Sequence, residues 1–208
     1  MKKTIFVILI VAILATVLVA CGEKNGSNDI YKNLNSMMNE DYSVIKLEVE
    51  TTDQGITLVN KYTATTVNGR TSIRYTIQTL AEIKQNADGS YDVPDELIVT
   101  ETGSATVVDG KITITNGNEE NIPVDALQNI NIKFDKSYFM STIHSENDGV
   151  KTITGTVIQD HIKDFTGNQN FAGKNMTFTV TCGEKLQSLV INYTMNSGAT
   201  VKVTYTFS

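Results

Sequence analysis

Residues 176–182 read Met176-Thr177-Phe178-Thr179-Val180-Thr181-Cys182, an unbroken alternation of apolar and polar side chains. A period of two places Met176, Phe178, Val180 and Cys182 on one face of a strand and the three threonines on the other. Gly183-Glu184-Lys185 turns the chain, and Leu189, Ile191, Tyr193 and Met195 form the next apolar face. Asn196-Ser197-Gly198 turns it again, and Ala199, Val201, Val203, Tyr205 and Phe207 alternate with Thr200, Lys202, Thr204 and Thr206. The pattern predicts a three-stranded antiparallel meander with one dry face and one wet, Thr-rich face.

The same period runs upstream. Ile45, Leu47 and Val49 alternate with Lys46, Glu48 and Glu50, and Asp53-Gln54-Gly55 turns the chain. A strand over 56–67 meets Asn68-Gly69, a strong hairpin signal. Ile73, Tyr75 and Ile77 lead a long strand toward Ala81 and Ile83. Residues 97–108 and 111–115 pair across Asp109-Gly110, and 138–145 with 150–157 across Asn147-Asp148-Gly149. Three segments have helical spacing instead. Ile30, Leu34, Met37 and Met38 mark a helix over 29–41, with Asn28 or Asp29 as its cap. Val124, Leu127 and Ile130 mark a short one, and Ile158, Ile162 and Phe165 a second that ends near Gly167.

The sum is about eleven strands with one leading and two short helices, a mainly β (α+β) chain. Long helices do not alternate with strands, which excludes a parallel α/β sheet. Three helices cannot cover so large a dry face if the sheet stays flat. The expected architecture is therefore a strongly curved antiparallel sheet, or an unclosed β-barrel, with the helices on its concave side.

The amino terminus carries a different signal. Lys2 and Lys3 precede an apolar run from Ile5 to Ala20 broken only by Thr16. Sixteen helical residues span about 24 Å, short of the ~30 Å hydrocarbon core, so the run reads as a signal peptide over 1–20. It ends Leu18-Val19-Ala20-Cys21-Gly22. Leu-Val-Ala-Cys resembles the lipobox of bacterial lipoproteins. The resemblance implies cleavage before Cys21, diacylglycerol on its thiol, and further acylation such as palmitate on the new amino terminus. Residues 21–28 would then be the lipidated Cys and a flexible tether. The implied location is the bacterial cell membrane, lipid-anchored on the extracytoplasmic face, since two or three acyl chains make a stable anchor.

Composition narrows the function. The chain has 208 residues, 17 Lys and Arg, 23 Asp and Glu, and no Trp. Without residues 1–20 it keeps 15 basic against 23 acidic residues, a net charge of about -8. That excludes a basic nucleic-acid binder, and two cysteines exclude a disulfide scaffold. With Cys21 lipidated, Cys182 is expected as a buried small hydrophobe. His144 and His161 are the only histidines, no metal or other cofactor is expected, and no nucleophile–base constellation suggests an enzyme. The acidic loop 86–96 holds Asp88, Asp92, Asp95 and Glu96. As an EF-hand with Gly89 in sixth place it would put Lys84 in the first ligand position, which a cation cannot fill. A looser calcium site and a solvated Asp-Gly turn both remain open there.

The element order from residue 29 to Phe207, a single domain over 29–208, is similar to the LolA/LppX-like lipoprotein-carrier fold. Carriers of that family hold acyl chains between sheet and helices. The resemblance implies a cavity for a lipid or other hydrophobic ligand lined from Met37, Met38, Ile77, Phe139, Phe165, Phe178, Tyr193, Met195 and Tyr205. For any one of these residues plain core packing is the stronger reading. The lipobox departs from the soluble Gram-negative carrier and points to a tethered, monomeric member. The alternative is a surface module that binds a protein or polymer partner, with a filled core and an exposed apolar patch.

Overall fold

A computed structural model describes residues 27–85, 91–92, 96–128 and 130–208. The expected signal peptide, Cys21 and the tether as far as Gly26 lie outside the described residues, as do Asp88 and Asp95 of the acidic loop. Ser27 and Asn28 already belong to helix α1 (Ser27–Met38), so the capping expected at Asn28 or Asp29 is not where the helix starts. Asp29 instead sits in the first turn, where its carboxylate complements the helix dipole.

The strands are β1 (Val44–Asp53), β2 (Ile56–Val67), β3 (Arg70–Leu80), β4 (Lys84–Gln85), β5 (Tyr91–Asp92), β6 (Ile98–Val108), β7 (Lys111–Asn116), β8 (Phe139–Asn147), β9 (Val150–Val157), β10 (Gly173–Cys182), β11 (Leu186–Met195) and β12 (Thr200–Phe207). The short helices are α2 (Val124–Gln128) and α3 (Ile162–Thr166). Ten strands form one antiparallel sheet in the order β7-β6-β3-β2-β1-β12-β11-β10-β9-β8, while β4 and β5 pair separately. The edge strands β7 and β8 do not pair with each other, so the sheet is not closed, as the expected curved, unclosed architecture requires. Two meanders thus meet at one seam, where the first strand pairs with the last from Ile45↔Phe207 to Thr52↔Thr200.

Four connections are two-residue turns with both central residues at positive φ: Gln54-Gly55, Asn68-Gly69, Asp109-Gly110 and Asp148-Gly149. That backbone matches the right-handed twist of the flanking strands, and each second position is Gly, which takes it without steric cost.

The register aligns the dry face into rows. One row runs Tyr75, Tyr62, Leu47, Tyr205, Leu189, Val180, Ile153 and His144 across eight strands. The next runs Asn60, Val49, Val203, Ile191, Phe178, Gly155 and Thr142. The opposite face carries the threonines and two exposed ion pairs, Lys61–Glu48 at 3.1 Å and Lys202–Glu50 at 2.6 Å.

Helices and the irregular chain between β7 and β8 cover the dry face on its concave side. Leu34 of α1, Leu127 of α2 and Ile162 and Phe165 of α3 are all buried against it. Over β8 to β10 the filling is aromatic. Phe178 lies 5.5 Å from Phe134, 4.8 Å from Phe139 and 5.5 Å from Phe165, between ring centroids.

Candidate functional site

Between the end of α2 and the loop after α3 the cover stops short of the sheet and leaves a cleft of about 500 Å³. Its floor is Met176 of β10, Ile191 and Tyr193 of β11, and Val203 and Tyr205 of β12. One wall is Asp125 and Ala126 of α2 with Ile130, Asn131 and Ile132. The other is residues 166–169 and Phe171, whose ring meets that of Tyr193 edge-on at 4.9 Å.

Local chemistry holds both walls. Helix α3 ends on Gly167 at φ 62°, the left-handed conformation that stops a helix cheaply only at Gly. A Cβ there would come within 2.5 Å of Asn131, so the same residue lets the walls approach. The Lys133 N–H donates to the Phe165 carbonyl at 2.9 Å and ties the strap 130–133 to α3. The Asn168 side chain accepts from the Asn170 N–H at 2.9 Å and shapes the loop that brings in Phe171.

The cleft is apolar at its floor and uncharged over most of its rim. Asp125, exposed on α2, is the only charged residue among those that line it. Burial pushes the Tyr205 phenol up to about 12 and raises that of Tyr193 as well. Both phenols stay protonated at neutral pH.

The structure distributes the residues singled out in the sequence over several places. Tyr193 and Tyr205 line the cleft. Phe139, Phe165 and Phe178 belong to the aromatic cluster, with Phe165 and Phe178 fully buried. Ile77 is buried on β3, in the other half of the sheet. On α1 Met37 packs half-buried against the core, while Met38 is buried and borders a second, polar cleft with Glu40, Asp41 and Asp125. Met195 is exposed at the end of β11. Ile130 was expected only as part of the short helix, which ends at Gln128, and Ile132 and Phe171 sit in irregular chain with no period, so none of the three was expected to line a cavity; Phe171, a lone aromatic in a polar loop, was the available clue.

The other reactive side chains lie elsewhere. Cys182 is buried at the end of β10, and burial raises its thiol, which keeps it protonated. His161 Nδ1 lies 3.2 Å from Asp164 Oδ2 on the surface, beneath the Tyr138 ring at 5.1 Å. His144 Nε2 meets the Thr142 hydroxyl at 3.2 Å beside the edge of Tyr31. Among the described residues no group of three or more His, Cys, Asp or Glu could hold a metal ion, and no helix is long and apolar enough to cross a membrane. No protein-family model and no curated protein matches the chain.

Proposed function

We propose that this chain is an extracytoplasmic lipoprotein, held at the bacterial membrane through lipidated Cys21, whose β domain binds a lipid or other hydrophobic ligand. The observation that carries the ligand is the cleft of about 500 Å³ with an apolar floor. That size falls in the range of small-molecule sites, which combine apolar lining with a few placed polar groups. The aromatic cluster speaks against a ligand beneath α3, because Phe165 and Phe178 already fill that space. The anchor rests on the lipobox-like Leu18-Val19-Ala20-Cys21.

Native mass spectrometry of the chain from residue 22 onward, recovered from cells, tests the binding reading. A co-purifying lipid mass is expected, and Ala126→Trp, which fills one wall, should abolish it while the fold is kept. A clean apo mass would turn the reading toward the partner-binding module. Met140, 74% exposed, and Ile143, 62% exposed, on edge strand β8 favour that second reading. Cys21→Ser should release the full chain from membranes.

A further inference from the structure

We propose that the outer edge of β8 is the membrane-facing surface of this domain, and that Met140 and Ile143 rest in the head-group layer of the bilayer that holds Cys21. This rests on the anchor reading above and says which way the anchored domain faces.

Two observations meet at this edge. The first is its composition. Strand β8 pairs with β9 alone, so its outward N–H and C=O groups have no ladder to join. Met140 and Ile143 are the two most exposed large apolar side chains among the described residues. Phe139 pairs with Val157 and Ser141 with Thr156, which makes Met140 the extra residue of a bulge. Ile143 stands opposite Thr154, on the face of the threonines. From Phe139 to Ser145 there is no Lys, Arg, Asp or Glu, in a chain with 23 acidic residues. The other edge, β7, is built differently. It begins with the exposed Lys111, a common guard of sheet edges, and its Ile112 and Ile114 pack half-buried against the core.

The second observation is where the chain enters the domain. Tyr31, near the start of α1, donates from Oη to the Thr142 hydroxyl at 3.2 Å. Its ring lies 5.6 Å from that of Phe139 and 6.4 Å from that of His144. Helix α1 therefore begins beside β8. The six residues 21–26 reach about 20 Å at full extension, so the start of α1 is held within that distance of the lipid surface. A protein partner could use the same side chains, but the anchor brings lipid to this edge and to no partner in particular.

Unpaired backbone groups are costly in hydrocarbon, whereas water and phosphate in the head-group layer can meet them. The edge backbone therefore stays at that depth, and the Met140 and Ile143 side chains reach toward the acyl chains. Two apolar side chains are too few to hold a domain on a bilayer from solution. With Cys21 already in the membrane the contact is intramolecular, and a weak one suffices to orient the domain.

The chain contains no Trp, so Met140→Trp and Ile143→Trp each place a single reporter at an exposed position. Val67→Trp, on β2 in the other meander and almost as exposed, is the control. The full chain extracted from bacterial membranes, with Cys21 as the cell leaves it, is transferred to vesicles of phosphatidylcholine with brominated or ordinary acyl chains. Flotation in a density gradient reads attachment, and tryptophan emission reads contact. Emission from positions 140 and 143 is expected to shift to the blue and to be quenched by the brominated lipid; emission from 67 is expected to do neither. Flotation without quenching at 140 and 143, or with equal quenching at all three positions, would overturn the inference and leave the anchor intact. A blue shift at 140 and 143 in the Cys21→Ser background that grows with protein concentration, without vesicles, would also overturn it and assign the edge to a second copy of the chain. Failure of the full chain to float would overturn anchor and orientation together.

Discussion

Asn35 holds the backbone of Phe134 at two points. Its Nδ2 donates to the Phe134 carbonyl and its Oδ1 accepts from the Phe134 N–H, each at 2.8 Å. The side chain thus supplies both bonds a neighbouring strand would supply, and it fixes irregular chain to α1. Asn35→Ala leaves both Phe134 groups without that partner and should cost about 1–3 kcal/mol. Urea unfolding checks this; a loss under 0.5 kcal/mol would mean the clamp is incidental.

Gly155 on β9 is the seat of Phe178. A Cβ at this position would lie 2.5 Å from the Phe178 ring and 3.0 Å from the Thr142 methyl. Phe178 is fully buried among other rings and has nowhere to move. Gly155→Ala should therefore destabilise by about 1–3 kcal/mol through overpacking. Thermal melting of the variant measures it, and Gly155→Ala combined with Phe178→Leu should recover part of the loss.

Alkaline pH should weaken the fold through Tyr205. Its folded value is about 12 against 10.0 in the unfolded chain. Below pH 10 both states hold the proton and nothing is lost. Between 10 and 12 the unfolded chain releases it and the folded one does not, so stability falls as pH rises, by about 2–3 kcal/mol in all. Tyr42, Tyr62 and Tyr193 are raised too and act in the same direction. Denaturant unfolding across this window in wild type and Tyr205→Phe should show a shallower slope for the variant.

Acid should act through His144 with the opposite sign. Burial lowers its value below 6.5, so the folded chain binds a proton less readily than the unfolded one. Stability should then fall as pH drops below 6.5. Wild type and His144→Gln compared by melting temperature between pH 7 and 5 isolate this contribution, which disappears in the variant.

Removal of residues 204–208 should abolish cooperative unfolding. Tyr205 and Phe207 are buried, and Phe207 stacks with Tyr205 and packs on Tyr42 at 4.9 Å. Ser208 also exchanges two backbone hydrogen bonds with Val44, at 2.8 and 3.0 Å. Two aromatic losses of about 3–5 kcal/mol each are comparable with the whole stability of a domain. Near-ultraviolet circular dichroism should show fixed aromatic packing in the full chain and none in the truncated one.

What the sequence disclosed follows the range of the interactions. Asn68-Gly69 and Asp109-Gly110 were legible because a two-residue turn writes its backbone demand into two residues. Met176, Phe178 and Val180 were legible as a dry face because alternation is local. Alternation does not say what covers a face. Phe178 in the packed core, Tyr205 at a cleft and Met195 in the open all follow the same pattern. Nor does a strand record its distant partner: nothing in 44–53 or 200–207 names the other, so the seam emerged only with the structure.

The seam also sets a clock. Glu50 and Lys202, neighbours across it, are 152 residues apart in the chain. Contacts between such distant segments make folding slow, because the intervening loop must close first. Until Thr200–Phe207 arrives, one edge of β1 presents bare N–H and C=O groups, and β11 ends its own meander unjoined. The ten-stranded sheet is therefore complete only once Thr200–Phe207 has slotted between β1 and β11.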